Sequence, residues 1–227
     1  MANLFLSSTD TSQLNTAAYY IDLGFEIIKE KDRIWAVSKE VQIALSSIPT
    51  DRKGILYFNS EAIDLIKKNN VFYNESENGE ITVMTPAGIL MTIVNQEPPK
   101  LISEKTSILG NYMGISIETI NMNASVGFWE NLGFTIGMGN VDQGWVSMTN
   151  NNGDIISLMK YGMCPHQFFN PSMTFFNGKE KNPIVINNIR ESNTPIAEEI
   201  THFNEEGIVD NIVLKDPSGV GCFVFND

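Results

Sequence analysis

One ten-residue pattern occurs twice in the chain, and it limits the fold more than any other feature. The segment TAAYYIDLGF at 16–25 aligns without gaps on SVGFWENLGF at 125–134, an offset of 109 positions. A repeat at fixed spacing signals two copies of one supersecondary unit, each burying its apolar face against a neighbour. In both copies an aromatic pair and the following Leu lie three to four residues apart, the spacing of one helix face. Gly24 and Gly133 stand where a helix ends in the left-handed region, and Phe25 and Phe134 then open a strand.

Strand-like runs surround each helix. Residues 3–7 and 114–120 precede the two copies; 33–37 and 41–45 follow the first, and 144–148 and 154–159 follow the second. The unit reads βαβββ. Downstream, ITVMTPAG at 81–88 parallels IVLKDPSG at 212–219, each a hairpin turn followed by an apolar strand, 89–94 and 220–225. Helices are expected before these hairpins at 60–68 and 194–203, and short strands before those helices at 54–58 and 183–189. Four βαβββ units therefore follow one another. The adjacent prolines of QEPPKLISEKTS mark a linker, which gives domains at 1–97 and 110–227 with 98–109 between them. The second domain is longer through an aromatic-rich insertion at 161–182.

The segment SVGFWENLGF and the turn DPSG at 216–219 resemble the helix signature and the final turn of the glyoxalase, bleomycin-resistance and extradiol-dioxygenase superfamily, also called vicinal-oxygen-chelate proteins. The helix signature is one residue short before Leu-Gly-Phe. Both motifs stand in the expected order, and their duplication spans nearly the whole chain. The resemblance implies an α+β fold with the four units paired into two glyoxalase-like domains, each a curved mixed sheet around a cleft with helices outside. It also implies where a metal would sit. Enzymes of the superfamily hold a divalent ion through His, Gln or Glu at four places, in the first and last strands of each unit. On this chain those places become Gly114, Ser157, Pro183 or Ile184, and Phe223, and in the first domain Phe5, Ala44, Ile55 and Thr92. None is a metal-ligating side chain, and the only histidines, His166 and His202, lie at none of them. The expectation is a cleft with no metal and no cofactor.

Strand residues two apart share a face, so Ser116 and Glu118 join Gly114 in the expected C-terminal cleft, facing Ser157, Met159 and Phe223. Glu118 is the candidate base, since burial can raise a carboxylate toward neutrality. His166, Phe168 and Phe169 of the insertion are candidates to cover a flat or cationic ligand. The plainer readings are a carboxylate held by neighbouring polar groups and aromatics that plug the sheet. Cys164 and His166 form a weak nucleophile and base pair, because Pro165 keeps the chain between them extended.

Acidic residues outnumber basic ones 27 to 15, for a net charge of −12, and no Lys/Arg cluster tracks a phosphate backbone. This excludes nucleic acid as the expected partner and suits a cationic ligand. No apolar stretch has membrane-spanning length and the first residues lack a leader pattern, so a cytoplasmic protein without a membrane partner is expected. Two cysteines, Cys164 and Cys222, are too few for a disulfide framework. The favoured function is metal-independent binding of an aromatic or cationic small molecule in the C-terminal cleft, with a homodimer allowed. The alternatives are a lyase or dioxygenase with a metal relocated to Glu118 and His166, and an interaction module with filled clefts.

Overall fold

In the computed structural model, which describes residues 3–11, 13–31, 33–48, 52–69 and 71–226, the two repeat copies fold alike down to their ring angles. The Tyr19 and Tyr20 rings meet edge-on at 5.2 Å, as Phe128 and Trp129 do at 5.4 Å. Tyr20 then packs on Phe25 at 5.3 Å, and Trp129 on Phe134 at 5.3 Å. Each helix ends with two reversed bonds, from Gly24 N to Ile21 O and Phe25 N to Tyr20 O, repeated from Gly133 to Glu130 and Phe134 to Trp129. Gly24 and Gly133 take φ of 90° and 85°, a region that side chains avoid.

The N-terminal domain runs β1 (Leu4–Thr9), α1 (Thr16–Asp22), β2 (Glu26–Glu30), β3 (Arg33–Val37), β4 (Gln42–Ser46), β5 (Gly54–Phe58), α2 (Ser60–Lys68), β6 (Tyr73–Glu75), β7 (Ile81–Met84) and β8 (Leu90–Val94). The C-terminal domain repeats this order. It runs β9 (Tyr112–Thr119), α3 (Met122–Glu130), β10 (Thr135–Asn140), β11 (Trp145–Thr149), β12 (Ile155–Lys160), β13 (Ser172–Phe176), α4 (Gly178–Glu191), β14 (Ile196–Ile200), β15 (Asn211–Lys215) and β16 (Gly221–Phe225). Each domain is one eight-stranded mixed sheet, in the orders β2-β3-β4-β1-β5-β8-β7-β6 and β10-β11-β12-β9-β13-β16-β15-β14. The α+β fold of four paired βαβββ units is as expected.

One unit departs from expectation. The strand expected at 183–189 is part of α4, and the helix expected at 194–203 contains β14; the first strand of this unit is β13, inside the segment read as an insertion. The cause lies in periodicity. Asn182, Val185, Ile186 and Ile189 are buried, a 3.6-residue stripe, whereas burial along β14 alternates. Pro183 is the sixth residue of α4, so the helix forms there at the loss of one backbone hydrogen bond to the carbonyl four residues earlier.

The helix-facing sides of both sheets and all four helices contribute to one apolar core that spans the two domains. Tyr57 of β5 meets Phe134 of the other domain at 6.3 Å. The opposite sides of the sheets form two separate clusters, around Phe5, Trp35 and Phe58 in the first domain and around Phe223 in the second. Those inner faces are where the two domains differ. Among the described residues no helix is long and apolar enough to cross a membrane.

Candidate functional site

The pleat of the C-terminal sheet brings most of the expected residues together. Ser116 pairs with Ser157, Glu118 with Met159, Gly114 with Thr174, and Thr174 with Phe223, so all seven share the inner face. Ser116 Oγ and Thr174 Oγ1 lie 2.6 Å apart on its floor. Pro183 and Ile184 are elsewhere, on α4, with Ile184 60% exposed; the strand position they stood for belongs to Thr174.

Residues 161–171 lie across this face. His166 packs on Phe223 and Phe225, each at 5.1 Å between centroids, and Phe168 packs on Phe223 at 4.8 Å. Phe223, Val213 and Ile200 are buried with Phe168 and Phe169 against them, and Lys215 Nζ stands 4.9 Å over the Phe169 ring. Polar bonds fasten the segment at both sides. Gly162 N donates to the Glu118 carboxylate at 3.0 Å, and Gln167 N donates to Glu198 at 2.6 Å. The Asn170 amide brackets the backbone of Glu118, accepting from its N–H at 3.1 Å and donating to its carbonyl at 2.7 Å. Glu118 therefore holds a loop in place, and the Phe223 end of this face is covered by His166 and Phe168, while Glu118, Ser157 and Met159 remain partly exposed.

Cys164 is partly buried. Burial first, and then the charge of Glu118, push its thiol up to about 11. A nucleophile needs the opposite shift, because only the thiolate reacts. In mildly alkaline solution Cys164 is expected to react with an aromatic disulfide reagent at least about tenfold more slowly than free cysteine. A rate equal to that of free cysteine, read from the released chromophore, would show an activated thiol.

A metal does not fit the inner faces. In the second domain the four registered positions hold Gly114, Ser157, Thr174 and Phe223. In the first they hold Phe5, Ala44, Leu56 and Thr92; Ile55, the residue expected there, points to the helix side and Leu56 replaces it. No imidazole, carboxylate or thiolate stands at any of these places, and among the described residues no three His, Cys, Asp or Glu converge on one point. Gly114 is closed to any side chain. Its φ is 135°, and a Cβ built there would lie 2.6 Å from the carbonyl oxygen of Ile155.

Among the described residues, the inner face of the N-terminal sheet is open at one end. Phe5 meets Trp35 at 5.3 Å and Phe58 at 5.8 Å, and these rings with Val37 and Val94 plug the other end. Beyond the plug lies a cleft of about 420 Å³, floored by Ser7, Ala44, Leu56 and Thr92. Arg33 Nη2 donates to Glu80 Oε1 across its mouth at 2.9 Å. That contact measures the curvature of the sheet. Arg33 belongs to β3 and Glu80 directly precedes β7, with β4, β1, β5 and β8 between them; in a flat sheet they would stand about 24 Å apart. Nothing local in the sequence announces the pair, and sequence reading missed Arg33, Glu80 and Thr82 as site residues. The only available signal was inward polar alternation, which places Thr82 beside Thr92 with their hydroxyls 3.4 Å apart.

No family model matches the chain, and neither does any curated protein sequence. Solved structures do match. Catechol 2,3-dioxygenase superposes with a TM-score of 0.58 over 96% of this chain and 85% of its own, at 12% identity. A mutant of homoprotocatechuate 2,3-dioxygenase from Brevibacterium fuscum gives 0.60 over 98% and 70% at 13% identity. The homoprotocatechuate 2,3-dioxygenase of Arthrobacter globiformis gives 0.57 over 96% and 78% at 14% identity. At these identities the likeness is one of fold: two duplicated mixed-sheet domains, as in the extradiol dioxygenases of the vicinal-oxygen-chelate superfamily.

Proposed function

From a fold shared with extradiol dioxygenases, but without the His, Gln or Glu donors that the sequence resemblance calls for, we propose that this chain binds a small molecule without a metal. Its ligand site is the open end of the N-terminal inner face. The observation that carries this reading is the cleft of about 420 Å³ beyond the Phe5 plug. That volume falls in the range of small-molecule sites, and its lining combines an apolar floor with a few polar groups, the mixture that gives affinity and orientation. The corresponding face of the C-terminal domain has spent its space on Phe168, His166 and Phe223.

A thermal-shift panel of small metabolites on the wild type and on Thr92→Trp tests the reading. A ligand at a hundredfold excess over its Kd adds about 2.7 kcal/mol to the wild type. The indole of the variant fills the cleft, and the added stability is expected to vanish. Equal stabilisation of both proteins would move the site elsewhere. Elemental analysis of protein purified without chelator is expected to find far less than one equivalent of Fe, Mn, Zn or Ni per chain; a full equivalent would overturn the metal-independent reading. The expected C-terminal site for an aromatic or cationic ligand remains a second reading, favoured by the Glu118 carboxylate beneath the aromatic loop. It requires that loop to move, so Phe168→Ala should then tighten binding.

A further inference from the structure

A second cavity opens where the linker crosses the domain boundary. It measures about 270 Å³ and shares no lining residue with the N-terminal cleft. Three hydrogen bonds build one wall by fastening the linker to β4 and the turn before it. Gln42 Nε2 donates to Leu101 O at 3.1 Å, Lys39 N to Lys105 O at 2.7 Å, and Ser107 N to the Glu40 carboxylate at 3.3 Å. Both domains supply the apolar part of the lining. Leu4, Phe5 and Val41 are buried there, Tyr112 of β9 joins them from the second domain, and Leu101 and Ile102 come from the linker.

The positive groups stand at the solvent side. Lys39 and Lys100 belong to the same lining but are exposed, and among the described residues neither ammonium group has a partner. The one carboxylate of the lining, Glu40, is engaged by Ser38 Oγ at 3.0 Å and by Ser107 N. Met1 and Ala2, which precede this part of β1 and lie outside the described residues, have no ionisable side chain. We propose that the cavity is a second binding site, for a medium-chain monocarboxylate whose tail lies against Leu4, Phe5 and Val41 while its head group stays at the mouth with Lys39 and Lys100. Burial of the tail supplies most of the affinity, and each methylene that fits tightens binding about fourfold. The lysines choose the sign of the head group. A cation of equal length meets two ammonium groups, and a neutral head gains no ion pair. A head group that remains hydrated at the mouth escapes the desolvation that a buried pair would suffer. An occupant that touches β1, the linker and β9 at once also ties the two domains together.

Octanoate, 1-octanol and octylamine, titrated into the isotope-labelled full chain and followed by amide chemical shifts, test the proposal. Physiological ionic strength screens charges beyond about 8 Å, which removes the distant acidic surface and leaves the two lysines. Octanoate is expected to move the amides of Gln42, Leu101 and Tyr112, with a Kd at least about threefold below those of the alcohol and the amine, the scale of two exposed ion pairs. Hexanoate, two methylenes shorter, should bind about fifteenfold more weakly. Lys39→Gln and Lys100→Gln together should bring octanoate to the level of octanol and leave octanol unchanged; both positions are exposed, so the fold is kept. Alcohol or amine binding at these amides as tightly as octanoate overturns the carboxylate. Shifts confined to Ser7, Thr82 and Thr92 would support the N-terminal cleft and overturn this second site. No shift from any of the three probes also overturns it, and the cleft then stands or falls by its own panel.

Discussion

Gly114→His is expected to lower stability by about 2–6 kcal/mol and to gain no metal. The backbone there has a φ of 135°, and a Cβ would lie 2.6 Å from the Ile155 carbonyl and 2.9 Å from the Ile155 Cβ. Forcing a side chain into that region costs about 1–3 kcal/mol of backbone strain, and the overlap adds a comparable amount. Urea denaturation reads the loss as a lower midpoint at unchanged slope. Calorimetric titration with Zn or Mn is expected to show no more heat than for the wild type. A variant as stable as its parent would mean that β9 can re-form with ordinary geometry, and the argument against a metal at this position would lose its physical basis.

Asp216→Ala should cost about 3–5 kcal/mol, the scale of leaving two or more buried neutral donors without an acceptor. Asp216 is 2% exposed and its carboxylate accepts five hydrogen bonds. Three come from its own turn, from Ser218 N, Ser218 Oγ and Val220 N. Two cross the domain boundary, from Ser8 Oγ at 2.6 Å and Tyr20 OH at 3.0 Å. Truncation leaves buried donors without partners. Asp216→Asn keeps the shape and one accepting oxygen but turns an NH₂ toward hydroxyl donors, so it should lose less, and the order Asn before Ala separates lost bonds from lost packing. The same cluster sets an alkaline limit. Burial first, and then the charge of Asp216, hold the Tyr20 phenol well above the ordinary tyrosine value of 10.0. A group whose folded pKa is raised stabilises the protein fully below its unfolded pKa, and that contribution is lost as pH rises toward the folded value. Stability measured from neutral pH upward should fall first as pH passes the ordinary thiol range, because burial also raises Cys164 and Cys222, and more steeply above about pH 10, where the Tyr20 contribution is lost.

The first three βαβββ units were legible because their signals are local. An aromatic pair before Leu-Gly-Phe states a helix and its end within ten residues, and Pro-x-Gly states a hairpin within four. In the fourth unit the signals were also local but in conflict. Pro183 and the apolar run after it suggested a strand, while the spacing of Asn182, Val185, Ile186 and Ile189 is that of a helix face. Periodicity decided, and the helix carries Pro183 in its interior. The inner faces were less legible. Whether Ile55 or Leu56 faces the cleft depends on a register of one residue, which the pairing of Leu56 with Phe5 and Thr92 sets. Phe168 covering Phe223, and Arg33 reaching Glu80, depend on the path of a loop and the curl of a sheet, which no window of sequence contains. The pairing registers place Ser116, Glu118 and Ser157 on one face, yet the packing of Phe168 and His166 over Phe223 beside them could not be read from their spacing.

The carboxylates that cross the domain boundary also impose an order in time. Asp154 accepts from Asn3 N and Leu4 N at one end of β1, and Asp216 from Ser8 Oγ at the other, so the strand at the centre of the N-terminal sheet is tied down by residues 150 and 208 positions later. At ribosomal rates those partners arrive up to about 10–40 s after the strand itself. During translation β4 and β5 can already pair with β1, but the carboxylate bonds at its two ends form only when the later sheet is made.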